Sequence, residues 1–131
     1  MQHKLKSIHM KTLKILLLLG CTISFAGCDK TANTVSGIYV LNFRNEYSIA
    51  SDTLIITAYN PSAGTYQVER RDGYHRIRQG KILPKEFRQE RWIATLEKDK
   101  QLLRESAWGR QVYINTDNHS ASYNGIYRKI K

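Results

Sequence analysis

Short runs of β-branched and aromatic residues, broken by turn residues at roughly 8–12-residue intervals, fill the chain from Gly37 to Ile130. The first run is Ile38–Leu41, followed by Asn42–Asn45. Tyr47–Ile49 and Thr53–Tyr59 come next, joined through Ser51-Asp52, and Asn60–Gly64 is a strong turn. Thr65–Arg71 alternates Tyr66, Val68 and Arg70 against Gln67, Glu69 and Arg71, the period of two that a strand imposes. Asp72-Gly73 reads as a turn or bulge before Tyr74–Arg78. Gln79-Gly80 and Pro84 bracket a connection, and Trp92–Glu97 sets Trp92, Ala94 and Leu96 on one face. Leu102–Trp108, Gly109 and Gln111–Ile114 have the layout of a hairpin, Thr116–Ser120 reads as a loop, and Tyr123–Ile130 closes the series.

This pattern predicts an all-β domain of about eight short antiparallel strands, an up-and-down barrel or a sandwich. One stretch is ambiguous: at Pro84–Arg91, proline in a first helical turn with Glu86 close behind also suits a short helix. No long amphipathic helix and no repeat is visible elsewhere. The expected core is Tyr39, Leu41, Ile49, Leu54, Ile56, Tyr66, Val68, Ile77, Trp92, Leu96, Leu102, Trp108, Val112, Ile114, Tyr127 and Ile130. Twelve of the thirteen aromatic residues follow Cys28. Each ring can bury on the order of 150–250 Å², so a small domain can fold without staples.

The first 27 residues have a different composition. Lys4, Lys6, Lys11 and Lys14 are unopposed by any acidic residue, and Leu13–Phe25 is dominated by apolar side chains. A basic segment followed by an apolar one is the order of an export signal, and the run falls short of the roughly 20 residues that span a bilayer. Met10 would open a compact signal as well as Met1 does. The apolar run ends in Ala26-Gly27-Cys28, which resembles the bacterial lipobox, with Phe25 where leucine is usual. The resemblance implies cleavage between Gly27 and Cys28, a diacylglyceryl group on the Cys28 thiol, and an acyl chain such as palmitate on the new amine. Two or more chains give stable anchoring where one is marginal. Cys21 would leave with the signal peptide, so the mature chain would hold no free thiol, disulfide or cysteine-based metal site. The expected organisation is therefore signal peptide 1–27, lipidated cysteine and tether 28–36, and one β-domain 37–131. The expected location is the cell envelope, with inner or outer membrane left open.

The whole chain carries a formal charge of +10, and loss of the leader leaves 17 basic residues against 11 acidic. The excess gathers in one stretch, where Arg70, Arg71, Arg76, Arg78, Lys81, Lys85, Arg88 and Arg91 face only Asp72, Glu86 and Glu90. Such a cluster is a candidate anion-binding patch for lipid phosphate or an acidic envelope component, since arginine forks suit phosphate and carboxylate. The simpler reading is a solvated strand face on which basic side chains discourage edge pairing. No nucleic-acid reader motif accompanies it.

Signs of catalysis are sparse. His75 and His119 are the only histidines after the leader, and each reads as an ordinary surface residue. Glu86 and Glu90 sit among Lys85, Arg88 and Arg91, which favours surface ion pairs over an acid/base pair. There is no nucleophile elbow, zinc-binding helix, phosphate loop or dinucleotide fingerprint. A non-enzymatic protein is expected, with no cofactor beyond the covalent lipid.

The run Arg70–Lys81 with Leu83–Phe87 and Trp92, the opening Gly37–Val40 with Glu46–Ile49, and the closing Tyr127–Ile130 together resemble a group of small bacterial lipoproteins often carried on conjugative and other mobile elements. The likeness spans most of the mature chain and supplies no active-site residue. It implies a lipoprotein with a β-rich fold. The expected function is a membrane-anchored envelope module that binds or scaffolds an anionic component or a protein partner. The alternatives are an accessory protein of conjugative transfer and a small inhibitor of an envelope enzyme. A basic inhibitor would be repelled by the wall hydrolases that are themselves basic.

Overall fold

Strand alternation organises the domain from the first residues onward. In the computed structural model, which describes residues 34–131, Tyr39 and Leu41 of β1 (Gly37–Arg44) point to the same side as Asp52, Leu54 and Ile56 of β2 (Ser48–Asn60) and Tyr66 and Val68 of β3 (Thr65–Arg78). The chain continues through the two-residue β4 (Lys81–Ile82), then β5 (Glu86–Glu97), β6 (Leu102–Glu105), β7 (Gln111–Asn115), β8 (Ser120–Ser122) and β9 (Ile126–Lys129). Apart from β4, each strand pairs antiparallel with the next, and β9 returns to pair with β1. The result is a closed up-and-down barrel of eight strands, which decides between the two architectures the sequence allows. The short β4 is a flap on the end of β3.

An eight-stranded barrel has an interior just wide enough for side chains to fill. Here large rings do the filling. Tyr39, Tyr66, Trp92 and Tyr127 pack with Leu54, Ile56, Val68, Leu103, Val112 and Ile114, and Ala94 and Ala121 leave them room. Leu41 and Leu96 pack against this cluster from its margin. Val35 plugs one end, where its carbonyl accepts a 2.8 Å hydrogen bond from the Tyr39 hydroxyl. Burial pushes the Tyr39 hydroxyl pKa up to about 12.

Several expectations need correction. Pro84–Arg91 is not helical: Glu86 already begins β5, where inward-facing Trp92 and Ala94 share one register with the residues before them. Asp72-Gly73 makes no turn, because both residues stay in register opposite Asp52 and Ser51. A Cβ on Gly73 would lie 3.0 Å from Lys85 Cε and 3.4 Å from the Phe87 ring, so glycine there makes room for an aromatic side chain lying over the sheet. Ser51-Asp52 is no connection either, but the middle of β2. Trp108 and Ile130 leave the expected core, at 82% and 61% exposure, and Ile49 and Ile77 are half-buried. The Asn60 turn forms as read: its side chain accepts a hydrogen bond from the Ala63 amide, and Gly64 takes a left-handed φ of 64°.

The two ends of the barrel differ. Residues 61–64, 98–101 and 116–119 connect strands at one end, and both ends of the described chain meet there. Ile38 N–H donates to the Lys131 carbonyl and Ile130 N–H to the Ile38 carbonyl, each at 2.8 Å. A Cβ on Gly37 would sit 2.4 Å from that Lys131 oxygen, so only glycine fits at this crossing. At the other end the walls are uneven. β2, β3 and β5 run 12 to 14 residues and β6 to β9 only three to five. β6 pairs with β5 only along Ala94–Glu97, and β9 with β1 only at Tyr39 and Val40. Long β2, β3 and β5, with β1 rising beside β2 as far as Arg44 opposite Ile49, therefore form a tall wall over a low rim.

Candidate functional site

Above the apolar core, the inner face of the tall wall turns polar without a break in register. The pairs Leu41–Asp52, Asp52–Asp72, Leu54–Arg70, Arg70–Glu90 and Asp72–Arg88 lie directly opposite one another and share that face. A charged group buried this deeply needs partners. Asp52 is 6% exposed, and its Oδ2 accepts three hydrogen bonds: from Arg70 Nε at 2.8 Å, Arg70 Nη2 at 2.6 Å and the Tyr127 hydroxyl at 2.7 Å. Its Oδ1 is buried with no hydrogen-bond partner among the described residues.

The network continues on both sides. Arg70 Nη2 lies 3.5 Å from Asp72 Oδ2, and the guanidinium sits 5.7 Å from the centre of the Tyr123 ring. Tyr123 packs on Trp92 at 5.6 Å, and the Arg110 guanidinium lies over the indole at 4.7 Å. Arg110 reaches toward Glu105 at 3.7 Å and Glu90 at 3.9 Å. These layers form the floor of the open mouth. A cavity of about 230 Å³ lies over it, lined by Leu41, Phe43, Ala50, Asp52, Arg70, Asp72, Asn124 and Tyr127.

Burial sets the protonation of these groups. Burial alone would lower the Arg70 pKa, but the hydrogen bonds and charge of Asp52 outweigh it and the net shift is upward. Tyr127 is raised by burial first and by Asp52 second. The Asp72 carboxyl is also pushed up, mainly by burial and then by the Asp52 charge. Arg70 and Tyr127 thus stay protonated as donors, and Asp52 is the acceptor they share.

The eight basic residues read from sequence as one patch do not share one surface, because alternation separates neighbours. Arg70 belongs to the inner network. Arg71 and Arg91 point outward and, with Gln89, clasp Glu69, whose carboxylate accepts at 2.6, 2.9 and 2.9 Å. Arg76 donates to Glu86 at 2.6 Å, and the Tyr74 hydroxyl donates to the same carboxylate at 3.0 Å. Lys85 lies over the Phe87 ring at 4.9 Å, and Arg88 faces inward opposite Asp72. Arg78 and Lys81 flank the tip of the β3–β4 turn and make no ion pair among the described residues. Cys28 and the Gly27 cleavage position lie outside the described residues.

His75 has Nδ1 2.9 Å from the Leu83 carbonyl, which fixes the ring to the flap. His119 occupies a turn with a left-handed φ of 48°. Among the described residues, no three acidic, histidine or cysteine side chains converge into a metal-holding group.

Sequence reasoning missed Asp52 and Tyr127 as site residues. The signal was present in the alternation: continuing the inward phase of Tyr66 and Val68 leads to Arg70 and Asp72, and that of Ile56 and Leu54 leads back to Asp52.

Glu69 yields a pH prediction. The Arg71 hydrogen bond, opposed by burial and aided by Arg91, holds its carboxyl below the ordinary 4.5. A lowered carboxyl contributes stability that is present above 4.5 and is lost as pH falls through the lowered value. Denaturation midpoints should therefore drop on acidification below 4.5, and the drop should be shallower in Glu69→Gln. An equally steep acid limb in that variant would assign the loss to other groups.

Comparison with protein-family models, curated proteins and solved structures found no match. The functional reading of this chain therefore rests on its own geometry.

Proposed function

We propose that the chain is a lipid-tethered, non-enzymatic binding module of the bacterial cell envelope, held by acyl chains on Cys28 and presenting the barrel mouth to its ligand or partner. The observation that carries this reading is the polarity of the barrel. Val35 plugs one end beside Gly37, while the charged, open mouth lies at the other. A tether entering at the plugged end leaves the mouth unobstructed. The seven-residue step from Cys28 to Val35 reaches at most about 25 Å. The seven-residue rise from Thr65 to Asp72, tilted as barrel strands are, sets the mouth about 18 Å beyond the plugged end. The lipobox-like Ala26-Gly27-Cys28 and the basic, apolar leader support the anchor. A floor of paired charges and packed rings under an open cavity supports binding.

The test is fractionation of the full chain expressed in a bacterial host. The wild type is expected to sediment with membranes, to leave them only in detergent, and to show an acylated cysteine at its N-terminus by mass spectrometry. Cys28→Ser is expected to lose the acyl mass and membrane retention. Retention of that variant at the membrane, in processed form, would refute the proposal.

A further inference from the structure

We propose that the tip of the tall wall is a docking surface for an anionic phospholipid leaflet, with a lipid phosphate seated between Arg44 and Lys85. The surface lies on the outside of the wall, so it goes beyond the mouth and leaves the mouth open.

Two turns are laced together at this end. Ile77 N–H donates to the Tyr47 carbonyl at 2.7 Å and Leu83 N–H to the Arg76 carbonyl at 2.8 Å, so the β1–β2 turn, the end of β3 and the flap form one unit. Ile49 stands opposite His75, Ile77 opposite Ile82, and Gly73 opposite Phe87. Alternation puts all of these on the outer face. Tyr47, Ile82 and Phe87 are 67%, 57% and 76% exposed. Apolar side chains gathered in the open in this way mark a contact surface.

An open cavity of about 420 Å³ lies among them, and its lining includes Arg44, Ile49, Ser51, His75 and Lys85 but no carboxylate among the described residues. Arg44, Ser51 and Lys85 are exposed, so a ligand reaches them without uncovering a buried group. Neither cation makes an ion pair among the described residues. The sign of this end does not depend on where its boundary is drawn. Arg44, Arg76, Arg78, Lys81 and Lys85 stand there against Glu46 and Glu86. Extending the count down the wall and across the floor adds Arg70, Arg71, Arg88, Arg91 and Arg110 with an equal number of carboxylates, Asp52, Glu69, Asp72, Glu90 and Glu105.

Cations beside exposed apolar side chains fit a leaflet of anionic lipid: its phosphates take the first and its headgroup–acyl boundary the second. A soluble anion would use the charges and leave Tyr47, Ile82 and Phe87 in water. A purely apolar partner would leave both cations unmatched.

In the experiment the full chain is reconstituted into phosphatidylcholine nanodiscs whose scaffold protein carries a fluorophore, and the discs are mixed with vesicles. Discs are expected to sediment with vesicles of equal parts phosphatidylglycerol and phosphatidylcholine, to stay free of pure phosphatidylcholine vesicles, and to be released as salt rises. Empty discs give the background. Arg44→Ala with Lys85→Ala is expected to weaken the association about 25-fold, roughly fivefold for each cation. Ile82→Ser with Phe87→Ser is expected to weaken it severalfold. All four side chains are exposed and outside the packed core, so the barrel stays intact in both pairs. Lys98→Ala with Arg128→Ala removes the same charge away from the tip and is expected to leave the association unchanged. Sedimentation with pure phosphatidylcholine, unchanged association in either tip pair, or an equal loss in the Lys98 and Arg128 pair would each overturn the proposal. So would displacement by soluble glycerol phosphate at the concentration of vesicle phosphate, which would assign the cavity to a free phosphate. A chain that does not enter nanodiscs counts against the tether alone, and its tip is then read by floating the soluble chain with the same vesicles.

Discussion

Arg70→Ala is expected to destabilise the barrel by about 3–5 kcal/mol, the usual cost of removing one partner from a buried ion pair. The loss exceeds that of a surface salt bridge, about 0–1 kcal/mol, because the Asp52 carboxylate, 6% exposed, regains only part of its hydration when its partner is removed. Arg70 supplies two of the three hydrogen bonds to Asp52 Oδ2, so the variant leaves a largely buried charge with a single tyrosine donor. Replacing both residues, as Asp52→Leu with Arg70→Met, is expected to recover most of the loss, since an apolar pair carries no unmet charge. Urea denaturation followed by tryptophan fluorescence reads both values. A single-variant cost below about 1 kcal/mol would mean that the network is screened by solvent and that Asp52 is less enclosed than its geometry indicates.

Trp92→Ala is expected to cost about 3–5 kcal/mol, the range for truncating a buried indole. Its side chain, 5% exposed, contacts both the Tyr123 ring and the Arg110 guanidinium at the boundary of apolar core and polar floor. Its removal opens a hole in the lumen that neighbouring strands, locked by pairing on both sides, cannot collapse into. Trp108→Ala, in the loop after β6, is expected to fall within about 0.5 kcal/mol of the wild type. The two tryptophans look alike in the sequence, so equal losses would contradict the placement of Trp108 outside the core.

That contrast shows what periodicity can and cannot carry. The all-β class, the turn at Asn60–Gly64 and most of the core were legible, because turn residues and alternation are local properties. Trp108 was misread because its run continues past the point where β6 ends at Glu105, and hydrophobicity alone does not mark that end. Pro84–Arg91 was ambiguous because its charged residues suit either an exposed helix or a strand whose inner face lies above the core. The choice of barrel over sandwich depends on β9 meeting β1, a pairing across nearly the whole domain. The site was hidden for a related reason. Asp52 resembles a turn residue in sequence, and only its distant partners Arg70 and Tyr127 make it an interior one. The basic run was visible but its division was not, since strand alternation sends Arg70 to one side and Arg71 to the other.

The ring is shut by its shortest join. Only Tyr39 and Val40 pair with β9, and the amides and carbonyls around Ile38 and Lys131 complete the seam. The barrel therefore cannot close until residues 126–131 have been delivered. A chain threading through an export channel from its N-terminus would stay open along its length during passage. If the chain is exported and lipidated as proposed, it acquires its final form only on the far side, after Cys28 has already arrived.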